Sequence, residues 1–349
     1  MLLHAIENYL FRKVAPFTIR HIQRPDLATD DPLVIKVLEQ ASREFQVAPP
    51  VTLHQPAPLL LAGVWGLMRE AFVVHSEGRV VREAVAAAVS QLNECPYCVD
   101  VHASMHASAG GDGDILANQL RVGTSASALA YQWASATLSP DTEVIRNPQI
   151  PSGDVPQIFG TAICFHFINR MVNIFLDDAP MPMPAASSHF MRSFSRASLR
   201  FFGKRMVRLD GKPGEFVIDP DQVELPQEFA WSATDPNVAG SLARFAYAAE
   251  NAGQESLHED VRALVTTHLQ DWKGEQPELG AGWVDTLVKQ VDGHLQPSAR
   301  LALLAARASW QIDERVVTEF RSIVDDDRAL VQVAGWASYA AVQRIASWL

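Results

Sequence analysis

Glu83-Ala84-Val85-Ala86-Ala87-Ala88-Val89-Ser90-Gln91-Leu92-Asn93-Glu94-Cys95-Pro96-Tyr97-Cys98-Val99-Asp100-Val101-His102 runs from an apolar helical stretch, across a break, into two thiols. Ala84 to Val89 reads as a packed helix, and Gln91 to Glu94 as the break that ends it. Pro96 suits the first position of the next helix, because proline lacks the N–H that is unsatisfied there. Cys98 then sits near a helix N-terminus, where unpaired N–H groups and the helix dipole favour a thiolate. Two cysteines separated by two residues can interconvert between dithiol and disulfide, the minimum requirement for thiol exchange. His102, four residues beyond Cys98, falls on the same helix face and can accept or relay its proton. Glu83 reaches the His102 side if the two helices are neighbours, as a short connection favours. Glu94 lies at or outside the cap and is the lesser acid candidate.

Each of these residues also has an ordinary reading. A thiol pair is half a zinc site, but completing it would mean recruiting Cys164, His102 or His106. A lone histidine is commonly a core or surface residue, and a lone glutamate an exposed helix residue. What separates this stretch from a bare pair of cysteines is the combined spacing of all four groups.

That combination resembles the alkylhydroperoxidase AhpD-like part of the carboxymuconolactone decarboxylase superfamily. The peroxidase signature there is a glutamate, eleven residues, two cysteines separated by two residues, then three residues and a histidine. Glu83, Cys95, Cys98 and His102 fit it without insertion. Phe165-His166-Phe167-Ile168-Asn169-Arg170-Met171-Val172-Asn173 also resembles the closing helix of that family's domain, so the likeness spans residues 50–178. The resemblance implies an all-α, AhpD-like helical bundle in which Cys98 attacks the terminal peroxide oxygen and becomes a sulfenic acid. Cys95 would resolve it to a disulfide, while Glu83 and His102 handle protons. No tightly bound cofactor or metal is implied. A peroxide substrate and an external dithiol, or a lipoyl- or thioredoxin-like protein reductant, are. Tyr97 stands where the best-known peroxidase branch has another histidine, which bears on peroxide specificity.

Working outward, mixed periodicity predicts helices over Leu33 to Phe45, Pro58 to Val74, Val81 to Leu92, residues 95–109, Ser125 to Ala136 and Phe159 to Leu176, with a shorter one near Ile115 to Leu120. Cys164 and His166, inside the apolar run, read as core residues. Ala179-Pro180-Met181-Pro182-Met183-Pro184 cannot continue a helix and marks a domain exit. The expected organisation is a redox domain over 1–178 with an N-terminal helical extension, an interdomain arm over 179–230, and a degenerate AhpD-like domain over 231–349. Arg196, Arg200, Lys204 and Arg205 of the arm read as a charged surface. The degenerate copy emerges from a gapless register of Leu59–His102 on Gln276–Glu319. It sets Gly63 on Gly280 and Ala84–Val89 on Leu301–Ala306. In it Glu83, Cys95, Cys98 and His102 become Arg300, Ile312, Arg315 and Glu319, so the chemistry is absent from that half. Arg344 in the last helix takes the place of Arg170.

With 349 residues, 48% of them hydrophobic, the chain can bury a substantial core. A formal charge of −11 opposes binding to nucleic acid or anionic lipid. Three cysteines and no uninterrupted apolar leader point to a reducing, cytoplasmic setting. Homodimers or higher homo-oligomers stay open, with the second half replacing part of the interface that smaller relatives form between copies. The alternative functions are a decarboxylase of a small lactone acid, a protein disulfide reductase, and a noncatalytic helical scaffold.

Overall fold

A computed structural model describes residues 15–25, 28–74, 77–112, 114–115, 117, 119–180, 203, 211–218, 223–277 and 280–349. The first half contributes helices α1 (Pro32–Glu44), α2 (Pro58–Met68), α3 (Arg79–Leu92), α4 (Pro96–Ser108), α5 (Ala126–Ala134) and α6 (Val155–Phe175). The second contributes α7 (Pro236–Ser256), α8 (Glu259–Gln270), α9 (Gln296–Arg307), α10 (Glu314–Arg321) and α11 (Asp327–Ala346). The described residues contain no strand, only an isolated bridge between Ile19 and Leu176, so the fold is all-α.

Local chemistry sets the helix starts. Asp31, Asp235, Asp313 and Asp326 cap α1, α7, α10 and α11, each carboxylate accepting from the first-turn amides. Proline follows the cap in α1 and α7. Pro58 to Val74, expected as one helix, is α2 followed by a π-helical turn over Arg69–Val73. Its carbonyls are claimed from outside: Thr161 donates to Ala71 O at 2.9 Å and Arg82 to Phe72 O at 3.2 Å, while the Val74 amide closes on Arg69 O. Where a short helix is expected near Ile115 to Leu120, the described residues Ile115 and Ala117 lie in turns and Gln119–Arg121 forms a single 3₁₀ turn. Side chains capture amides of this stretch, with Asp114 N donating to Gln119 Oε1 at 2.7 Å, and so compete with helix.

One continuous apolar core runs through both halves. α3 packs on α4, α5 and α6; α9 packs on α10 and α11; α6 lies against α11, and α2 against α7. The helical span Ser152–Phe175 holds an 18-residue stretch long and apolar enough to cross a membrane, and that stretch is wholly buried in this core. Trp348 Nε1 donates to Thr137 O at 2.9 Å, tying the last turn to the first half. At Gly63 a Cβ would meet Ala248 Cβ at 2.7 Å and the Phe245 backbone at 3.2 Å. Neither neighbour is a flexible tip. Gly63→Ala is therefore expected to lower stability by about 1–3 kcal/mol despite alanine's better helix propensity, measured as a fall in denaturant midpoint. An unchanged or higher midpoint would show that α2 and α7 can move apart freely.

Helix α9 falls within two residues of where the gapless register carries α3, and α10 starts one residue after and ends four residues before where it carries α4. The register breaks further upstream. Gly63 is inside α2, whereas Gly280 has φ +81° and is followed by the short turns Ala281–Trp283, Val284–Leu287 and Val288–Gln290. By packing, α7 rather than residues 276–290 occupies the place opposite α2. In the arm, residues 211–218 are held by a buried ion cluster: Arg69 pairs with Glu44 at 2.6 Å and with Glu70, and donates to Lys212 O at 2.6 Å. Residues 1–14, Met181 to Pro184 and the arm cations Arg196, Arg200, Lys204 and Arg205 lie outside the described residues.

Candidate active site

The turn between α3 and α4 places the two thiols. Glu94 takes φ +50°, a left-handed kink that any side chain but glycine enters at a cost, and Cys95 follows as the N-cap of α4. The Cys95 sulfur accepts from the Cys98 amide at 3.4 Å, and the two cysteines are joined as a disulfide with Cα atoms 5.4 Å apart. Asn93 anchors the turn from behind. Its carbonyl accepts from Asn173 Nδ2 at 2.8 Å, its side-chain oxygen from Arg170 at 3.1 Å, and its amide donates to Val89 O at 3.0 Å. Glu94 itself is exposed and takes no part.

His102, Glu83 and Arg79 form a buried chain. Glu83 Oε2 is 2.7 Å from His102 Nδ1, and Glu83 Oε1 is 2.8 Å from Arg79 Nε. Burial acts to raise the Glu83 pKa, but the Arg79 guanidinium and the His102 hydrogen bond outweigh it and hold the carboxyl below its ordinary value. An ionised Glu83 can only accept, so His102 Nδ1 carries the proton and Nε2 keeps the lone pair in neutral imidazole. Phe72 and Phe165 hold the ring edge-on, with centroids at 5.7 and 4.4 Å.

Cys98 and His102 share a narrow cavity of about 80 Å³, walled by Phe45, Val51, Met68, Tyr97, Phe165 and Ile168. Tyr97 is buried, and that burial pushes its phenol pKa up, so it stays a proton donor at neutral pH. Cys164 is a free, buried thiol whose pKa burial also raises, making it a core residue without nucleophilic character. His166 is neutral, its pKa driven well down by burial and by Arg170. Thr137 Oγ1 spends its proton on Ala134 O and so accepts from His166 Nε2 at 2.8 Å. His106 is buried with Nε2 unpartnered among the described residues, and its pKa is lowered chiefly by burial. Among the described residues, no group of three or more His, Cys, Asp or Glu is gathered to hold a metal ion.

The geometry thus brings together all four residues of the sequence motif. It adds Arg79, which sequence reasoning missed although its i, i+4 spacing to Glu83 on α3 was visible, and Gln46 in the cavity wall, for which no spacing signal exists. Replacing Glu83 with Gln is expected to slow oxidation of Cys98 about 10–100-fold, and His102→Ala about 10²–10⁴-fold, the usual span for a lost proton-transfer group. Both changes should flatten the dependence of the rate on pH. Unchanged pH profiles in both variants would remove the relay.

An all-α bundle with a buried Glu83–His102 hydrogen bond beside a two-thiol helix start defines the class of domain, and comparison with known proteins gives its family. The Carboxymuconolactone decarboxylase family model matches residues 62–137. Over 322 residues the chain is 32% identical to a protein named alkyl hydroperoxide reductase from Mycobacterium tuberculosis, covering 90% of each. The chain belongs to the AhpD-like carboxymuconolactone decarboxylase superfamily. No solved structure matches it.

Proposed function

We propose that the protein is a thiol-dependent peroxidase that reduces hydrogen peroxide or organic hydroperoxides through a Cys95/Cys98 dithiol–disulfide cycle. The observation that carries this reading is the 2.7 Å Glu83–His102 hydrogen bond, which orients the imidazole in the same apolar cavity as Cys98. In the cycle, His102 Nε2 takes the proton of the Cys98 thiol, and the thiolate attacks the distal peroxide oxygen. The S–O bond forms, the O–O bond breaks, and the leaving alkoxide or hydroxide takes a proton from His102. Cys95 thiol then condenses with the Cys98 sulfenic acid, releasing water and forming the disulfide. An external dithiol, small or carried on a lipoyl- or thioredoxin-like protein, restores both thiols and is itself oxidised to a disulfide. No tightly bound cofactor is required, and a reducing cytoplasm suits the cycle.

The name of the matching family keeps a decarboxylase-like reaction as the second reading. Stopped-flow oxidation of the reduced protein by hydrogen peroxide and cumene hydroperoxide, with mass spectrometry of the cysteines, separates the two. Rapid formation of the Cys95–Cys98 disulfide is expected; slow oxidation of folded protein would put the decarboxylase reading first.

We also read the second half as a decayed copy of the first. Arg300 and Glu319, which the register sets on Glu83 and His102, pair at 3.3 Å across α9 and α10. That contact has the same placement as the acid–imidazole pair, with no thiol near it among the described residues. It supports duplication followed by conversion of a reactive site to a structural ion pair.

A further inference from the structure

Gln46 lines the redox cavity yet comes from the loop after α1, ahead of the residues that the family model matches. The residue is 3% exposed, and its Nε2 has no hydrogen-bond partner among the described residues. Its backbone is fixed, with Ala48 N donating to Gln46 O at 2.9 Å in a tight turn that also sets Phe45 and Ala48 on the cavity wall. A buried amide left unpaired is costly, and folded proteins rarely keep one without a ligand or water to satisfy it. The rest of the wall is apolar except for Cys98, His102 and the Tyr97 phenol. About 80 Å³ has room for a peroxide group with a small apolar substituent.

Resting on the peroxidase reading, we propose that Gln46 is a substrate-binding residue whose side-chain amide donates to the peroxide group of an organic hydroperoxide. The hydrogen bond goes to the oxygen that bears the organic group, which leaves the distal oxygen for Cys98. That oxygen gains negative charge as the O–O bond breaks and the S–O bond forms, so the donor strengthens in the transition state before His102 delivers the proton. The product is the corresponding alcohol, and the apolar group packs against Phe45, Met68 and Phe165.

Gln46→Leu keeps the volume of the side chain and removes the amide, so it tests the assignment. Because the amide has no partner within the described protein, the variant's Tm should equal or exceed that of the parent. Its Cys98 should be oxidised by ethyl hydroperoxide roughly 10–100-fold more slowly, the scale of one lost transition-state donor. The ultraviolet titration of the Cys98 thiolate should be unchanged. Oxidation at the parent rate, a lowered Tm, or a shifted thiolate titration that accounts for the slower rate would each overturn the role. If the parent protein itself is oxidised slowly by every hydroperoxide, the peroxidase reading fails separately. Binding of ethanol, the product alcohol of ethyl hydroperoxide, to the disulfide form then decides Gln46 alone: about tenfold weaker binding by Gln46→Leu upholds the contact, and equal binding rejects it.

Discussion

Cys98→Ser is expected to abolish peroxide reduction, lowering the rate of peroxide consumption by at least about 10³-fold, to background. A serine hydroxyl at this helix start stays protonated where a thiol ionises, and removing a nucleophile commonly takes with it nearly everything its partners contribute. The partners stay in place, because the Glu83–His102–Arg79 chain is held by its own hydrogen bonds and by Phe72 and Phe165. Loss of rate would therefore report the missing sulfur and not a collapsed site. Cys95→Ser separates the two thiols. It should still consume one equivalent of peroxide at close to the parent rate and then stall as a Cys98 sulfenic acid, which mass spectrometry reads as one added oxygen. The opposite pattern, with Cys95→Ser inert and Cys98→Ser fast, would exchange the two roles. Cys95 and Cys98 are 1% and 2% exposed, so in the proposed cycle a reductant would reach the disulfide through the cavity or after the turn opens.

Much of this site was legible in the chain because its parts are local. Glu83 and His102 belong to consecutive helices joined by a short break, so helix periodicity sets their approach, and the cap position of Cys95 follows from Pro96. The amphipathic helices α1 and α3 appear within two residues of their expected bounds, and α6, apolar on nearly every face, within four. The π turn after Met68 was not legible, because it depends on donors from Thr161 and Arg82 that lie far along the chain or on another helix. The same holds for Gln46, whose place in the cavity is set by the packing of the loop after α1 and leaves no trace in local spacing. The register of the second half was readable at α9 and α10, where apolar runs align, and failed at Gly280, where matching two glycines ignored that one is helical and the other left-handed. Glycine identity carries no information on which of its permitted conformations is used.

Arg79→Met is expected to couple stability and activity to pH in a way the parent protein is not. In the parent, the folded-state pKa of Glu83 lies below its ordinary value of 4.5. Its ion pair therefore stabilises the fold at neutral pH, and that contribution is lost only as pH falls through the depressed value. The Arg79 guanidinium lies 4.1 Å from the Phe72 ring centre; methionine can keep packing on that ring, but it leaves Glu83 buried with its only remaining partner the His102 N–H. Burial, the largest influence on this carboxyl, then pushes its folded-state pKa above the ordinary value. The sign reverses: a raised carboxyl stabilises at low pH and loses that contribution as pH rises through the new folded-state value. The gap in stability between parent and variant should widen from about pH 4 to pH 8, reaching about 3–5 kcal/mol, the usual result of stripping one partner from a buried pair. Over the same interval a protonated Glu83 would hold His102 Nδ1 less firmly, so peroxide oxidation should slow most where the carboxyl is neutral and recover in part as it ionises. Denaturant midpoints measured across that range check the claim. A gap that stays constant with pH would mean that Arg79 acts through packing on Phe72, and that His102 alone keeps Glu83 charged.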